Sequence, residues 1–184
     1  MVQIWDNLLY EIILQLLRGE LHLRGISKKV GAPHTTVSRS LISLLDENVL
    51  DYRNVGKNKV FFLRKNLAAR TYVYMAESYA LIRLMKRYPE LAVISEEIVK
   101  SCRERQVIVF GSYAKLQARK ESDIDLYVET QNKTVKEDLE KIHTRLSVKI
   151  GEFDLNSPLI KEIIKNHVIL KGVEEFYERT KLLE

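Results

Sequence analysis

The sequence predicts an α+β protein made of two modules and a helical connector. Three observations lead to this. Apolar residues recur at helical spacing through the first 47 residues and are followed by two short strand-like runs. A stretch from Leu67 to Tyr88 contains neither Gly nor Pro and reads as one long helix. The remainder alternates β-branched runs with helical ones. The expected boundaries are 1–65, 66–105 and 106–184. Charge divides along the same lines: residues 1–65 hold 10 Lys+Arg against 6 Asp+Glu, residues 66–105 hold 7 against 5, and residues 106–184 hold 13 against 14. A basic front third and a near-neutral back half predict two modules with different partners.

Composition narrows the class. The chain has 184 residues, 46% of them hydrophobic and 30% charged, which excludes a disordered chain. Cys102 is the single cysteine, so neither a disulfide framework nor a Cys-built zinc site is expected. No apolar run approaches the roughly 18 residues of a membrane span. The start, Met1-Val2-Gln3-Ile4-Trp5-Asp6, has no basic region before its apolar residues and does not read as a signal peptide. A cytoplasmic protein with no membrane partner is expected.

In the first module, Ile4, Leu8, Leu9, Ile12, Ile13, Leu16 and Leu17 predict an amphipathic helix over Val2–Leu17, stopped by Gly19. Leu23, Ile26 and Val30 predict a second helix, Leu23–Val30. After the turn Gly31-Ala32-Pro33, a third runs from His34 to Glu47, with Val37, Leu41, Leu44 and Leu45 on its inner face. Val49–Arg53 and Lys59–Leu63 read as strands around the turn-rich tip Asn54–Asn58. A helix, two helices joined by a Gly-containing turn, and then a hairpin is the order of a winged helix. The segment Ile26–Leu41 resembles the winged helix-turn-helix family of DNA-binding domains. That resemblance implies duplex DNA as partner, with His34, Thr35, Thr36, Ser38 and Arg39 facing the major groove. Lys28, Lys29, Lys57 and Lys59 are then positioned for phosphate. A winged helix used for dimerisation, or to place another domain, is the competing reading.

In the connector, Tyr72, Met75, Tyr79, Ile82 and Met85 form a narrow stripe of the kind that packs against another helix. It suits docking within the chain or the seam of a homodimer. A second helix over Leu91–Lys100 is expected to place Ser95 and Glu97 on its polar face.

The third segment carries the chemistry. Gln106–Phe110 is an apolar run suited to a buried strand. It leads into Gly111-Ser112, a short helix, and the strand around Asp123-Ile124-Asp125-Leu126. The glycine permits close backbone approach and the serine offers a hydroxyl at a helix start, both suited to phosphate. Strand alternation puts Asp123 and Asp125 on one face, where two repelling carboxylates make a site for a hard cation such as Mg²⁺. A phosphate grip joined to a metal grip is what phosphoryl transfer from a nucleotide requires.

The string from Val109 to Leu126 resembles the signature of the nucleotidyltransferase superfamily of the DNA polymerase β fold, in particular its minimal nucleotidyltransferase branch. The resemblance implies a polymerase β-like domain with a small mixed sheet. Its implied activity is Mg²⁺-dependent transfer of a nucleoside monophosphate from an NTP, ATP foremost, to an acceptor hydroxyl. Gly111, Ser112 and Lys115 would bind the nucleotide. It also implies a third metal-binding carboxylate on a neighbouring strand, which the sequence assigns to Asp154 between Phe153 and Leu155, with Glu152 as the substitute. The three carboxylates are then expected to converge. The helix before that strand is expected over Val135–Leu146. Members of this branch often work beside a helical partner protein in toxin–antitoxin pairs, which implies such a partner as acceptor. One residue departs from the pattern: Leu116 stands where the family most often has Gly, and it weighs against the same loop path and full activity. The alternative is a transcriptional regulator whose transferase domain senses nucleotide or is inactive. His22, His34, His143 and His167 are too scattered for a metal site, and Cys102 lacks an evident partner, so it reads as a structural thiol.

Overall fold

Residues 7–183 are described by a computed structural model. They form two compact units, residues 7–79 with 182–183, and residues 80–181. The division falls inside the long helix that begins at Leu67.

The first unit contains α1 (Leu8–Leu16), β1 (Leu21–His22), α2 (Leu23–Val30), α3 (His34–Asp46), β2 (Leu50–Val55) and β3 (Asn58–Leu63). The part of the expected first helix before residue 7 lies outside the described residues. The second helix has the expected bounds, and the third ends one residue early. Gly31 closes α2 in the left-handed conformation at φ 66°, its N–H donating to the Ser27 carbonyl. Pro33 is the N-cap of α3. Ile12, Ile13, Ile26, Val37, Leu41 and Leu44 interdigitate as its core. The antiparallel order is β1-β3-β2, and Val55 pairs with Asn58 across a two-residue turn. β1 escapes the sequence reading because two residues carry no periodicity.

α4 runs from Leu67 to Arg87. Its buried stripe is Ala69, Val73, Ala76, Ala80 and Leu84, not the expected aromatic and Met stripe. Small alanines allow closer approach than Met or Tyr side chains, and Met75 and Ile82 remain exposed at 44% and 46%.

The second unit continues with α5 (Glu90–Ser101), β4 (Val107–Val109), α6 (Gly111–Ala114), β5 (Ile124–Glu129), α7 (Lys133–Glu140), β6 (Leu146–Gly151), α8 (Pro158–Lys165), β7 (Val168–Lys171) and α9 (Val173–Thr180). Ser95 is buried on α5, contrary to its expected polar-face position. α7 is capped by Asn132, whose side chain accepts from the Thr134 N–H at 3.0 Å, and it ends at Glu140. Leu146, expected at the end of that helix, instead opens β6.

The sheet order is β6-β5-β4-β7, with β5 and β6 parallel and the other pairs antiparallel. One face carries Val107, Val109, Ile124, Leu126, Val128, Leu146 and Val148 into a core shared with Leu84, Leu91, Ile98, Tyr113 and Leu139. On the other face Tyr127, Phe153, Phe176 and Tyr177 stack edge to face. Asp125 sits on that second face, next to β5's first residue.

Candidate active site

The Gly-Ser turn and the aspartate pair come together because β4 and β5 are adjacent and antiparallel. The turn leaves the end of β4 where β5 begins, and the Phe110 N–H donates to the Asp125 carbonyl at 3.0 Å. Gly111 has φ +70°, and a Cβ at that position would overlap a carboxylate oxygen of Asp125 and stand 3.1 Å from its Cγ. Two constraints therefore demand glycine: the left-handed backbone and the carboxylate packed against the bare Cα. Ser112 follows in the single turn α6.

Asp125 is half-buried while Asp123 is exposed. Burial pushes the Asp125 carboxyl above its ordinary pKa, and the Asp123 charge adds to this; Lys149 opposes both.

The loop from Lys115 to Ser122 is held at several points. Leu116 has φ +56°, so leucine adopts the backbone conformation that glycine enters freely. Its N–H donates to the Tyr113 carbonyl at 2.9 Å and its side chain packs against the core. Leu116 therefore holds a left-handed backbone at a strain of about 1–2 kcal/mol. Arg145 donates to the Tyr113 hydroxyl at 2.9 Å and to the Lys120 carbonyl at 2.6 Å. The Arg119 N–H donates to the Ser122 hydroxyl at 2.9 Å. Lys115 pairs with Glu162 of α8 at 2.7 Å, and that hydrogen bond holds the Glu162 carboxyl below its usual range.

Asp154 does not join the aspartate pair. The parallel register sets Asp125 opposite Ser147 and Glu129 opposite Gly151, where β6 ends. Gly151 is thus about 13 Å along the strand from the level of Asp125, and Asp154 lies three residues further on. Its exposed carboxylate accepts from the Asn156 N–H at 2.9 Å in a local turn. Glu152 is likewise beyond the strand and bonded to Gln131. The expected convergence is not met, because β6 starts at Leu146 and ends at Gly151, before Asp154. The side chains that β6 sends to the Asp125 face are Ser147 and Lys149. Neither was singled out, although the alternation Leu146-Ser147-Val148-Lys149-Ile150 carries the signal.

Among the described residues no group of three or more His, Cys, Asp or Glu side chains is placed to hold a metal ion. Asp123 and Asp125 would be the carboxylates available to a single hard cation. They do not fit a three-carboxylate centre.

In the first unit, Thr36 and Ser38 are half-buried on α3, and His34, Thr35 and Arg39 are exposed. A groove of about 520 Å³ opens beside this helix, bordered by Arg24, His34, Ser38, Lys57 and Lys59 over Phe61. Lys59 lies 3.9 Å over the Tyr52 ring. Lys28, Lys29 and Lys57 are exposed.

A mixed sheet thus brings a Gly-Ser turn against Asp125, with Asp123 just before β5. Residues 94–176 match the family model described as Polymerase beta, Nucleotidyltransferase, and this supports placing that segment in the nucleotidyltransferase superfamily, with nucleotidyl transfer as its general chemistry. No curated protein and no solved structure matches the chain.

Proposed function

We propose that this chain is a Mg²⁺-dependent nucleotidyltransferase that moves a nucleoside monophosphate from an NTP, ATP foremost, to an acceptor hydroxyl, and that its first unit is a winged helix that binds duplex DNA. The observation that carries the enzymatic reading is the contact between Gly111 and the Asp125 carboxylate, which holds phosphate grip and cation grip against each other. Asp123 and Asp125 would hold Mg²⁺, which when bound neutralises triphosphate charge and polarises the phosphorus under attack. The Gly111 N–H and the Ser112 hydroxyl bind β- and γ-phosphate oxygens. Tyr113, Arg145 and Leu116 keep the turn in place and exclude water from its core side. Lys115 can reach phosphate on leaving Glu162. With Asp154 remote, the acceptor proton passes to solvent or to pyrophosphate rather than to a third carboxylate. A helical partner protein is the acceptor that the minimal-branch resemblance suggests.

The DNA reading rests on the basic rim of the groove beside α3. Arg39 would read guanine in the major groove and Thr35, Thr36 and Ser38 would contact bases or phosphate, while Lys57 meets phosphate from the hairpin tip.

A second reading has its own observation. Ser147 and Lys149 occupy the β6 positions beside Asp125, which favours a domain that binds nucleotide without transferring it, within a DNA-binding regulator. One experiment separates the two: the full-length protein is incubated with α-labelled ATP, Mg²⁺ and a lysate of the source cells. A labelled macromolecular band that disappears in Asp125→Asn supports transfer. Saturable ATP binding with no labelled band supports the sensor, and absence of ATP binding overturns both.

A further inference from the structure

Lys149 belongs to none of the motifs of the sequence. It lies on β6 opposite Tyr127, two residues beyond the Ser147 that faces Asp125. Leu146 and Val148 turn into the core, so Ser147 and Lys149 share the face of Asp125. One strand across and two residues along place the Lys149 Cα about 8 Å from that of Asp125. A lysine stem spans most of this, and its charge acts directly on the Asp125 carboxyl. The side chain is exposed and free to turn toward a ligand over the sheet.

A second divalent ion beside Asp125 would need carboxylate oxygens from this neighbouring strand, and β6 offers a hydroxyl and an ammonium instead. An ammonium held there repels a second divalent cation, while it attracts the triphosphate that the first one binds. We infer that the Lys149 ammonium takes the place of a second metal ion, so that the site binds a nucleoside triphosphate with a single divalent cation and with Lys149 as a direct phosphate contact. This rests on the reading that Asp123, Asp125 and the Gly-Ser turn bind a nucleotide. It makes Lys149 the residue that sets metal stoichiometry.

The test uses the full chain with Mn²⁺ and the inert analogue α,β-methylene-ATP, and bound Mn²⁺ is counted by electron paramagnetic resonance. Wild type should bind one protein-dependent Mn²⁺ per bound analogue. Lys149→Asp should bind two, and Lys149→Met should bind one while weakening the analogue at least tenfold. The exposed position leaves both variants foldable, which their melting temperatures check. Two Mn²⁺ in the wild type, or analogue affinity within twofold of wild type in Lys149→Met, overturns the inference and leaves the nucleotide site standing. If wild type binds no Mn²⁺–analogue complex, the nucleotide reading itself falls, and the role of Lys149 with it.

Discussion

Under the proposed function, Asp125 is the residue at which cation binding and stability oppose each other most directly. Its folded pKa lies above the ordinary 3.8, so the unfolded chain loses that proton at lower pH than the folded one. The charged form therefore weakens the fold: the cost is absent below the unfolded pKa, grows as pH rises through the folded pKa, and is complete above it. Asp125→Asn removes that loss. In EDTA at neutral pH the variant should melt at the wild-type temperature or above it, and the two melting curves should converge as pH falls below 4. A variant clearly less stable in EDTA would mean that neutral donors hold the carboxylate and that its position is structural. Gly111 is constrained through the same carboxylate. Gly111→Ala should cost about 1–3 kcal/mol, from a left-handed alanine and from displacing Asp125. Adding Asp125→Ala should recover part of this cost, because the overlap goes while the backbone strain stays. Purely additive urea-denaturation energies would show that the two residues do not meet.

At the scale of elements, the pairing of β5 with β6 decides which carboxylates can act together. Asp154→Asn should bind MgATP within twofold of wild type, and its transfer, read as label incorporation, should also lie within twofold. A loss of tenfold or more would require β6 to pair several residues out of the register described. The same logic of placement applies to α3 and the β2–β3 hairpin. Arg39→Ala should lose discrimination between DNA sequences, at about 1–3 kcal/mol for the base it reads. Lys57→Ala should weaken every sequence alike and lower the salt slope by about one. Fluorescence anisotropy of the full chain across a salt series measures both effects, and binding that ignores salt would exclude a phosphate-contacting surface. These elements were readable in outline. Helical spacing located α2 and α3, and Gly31-Ala32-Pro33 marked the turn between them, because caps and breakers act within a few residues of chain. The buried stripe of α4 is not legible in the sequence, because three- and four-residue spacing identifies a helix without saying which of two apolar faces a neighbour will cover.

On the scale of the whole molecule, ligand binding should stabilise the fold by mass action. MgATP at 100 times its dissociation constant adds about 2.7 kcal/mol to the unit that binds it. Calorimetry should show one transition moving up with MgATP in wild type and staying put in Asp125→Asn; equal shifts in both would place the nucleotide away from Asp125. Sequence alone determined what depends on local chain geometry. Asp125 faces away from the core because strands alternate, Gly111 and Ser112 begin a turn after a buried strand, and the basic residues gather in the first third. Tertiary structure decided what depends on partners distant in sequence. The β5–β6 register chose Lys149 over Asp154, since a sequence shows the parity of a strand but not the point at which a neighbour 20 residues away comes alongside it. Tertiary structure also sets the Leu116 side chain against the core while its backbone takes a left-handed conformation that glycine adopts more freely.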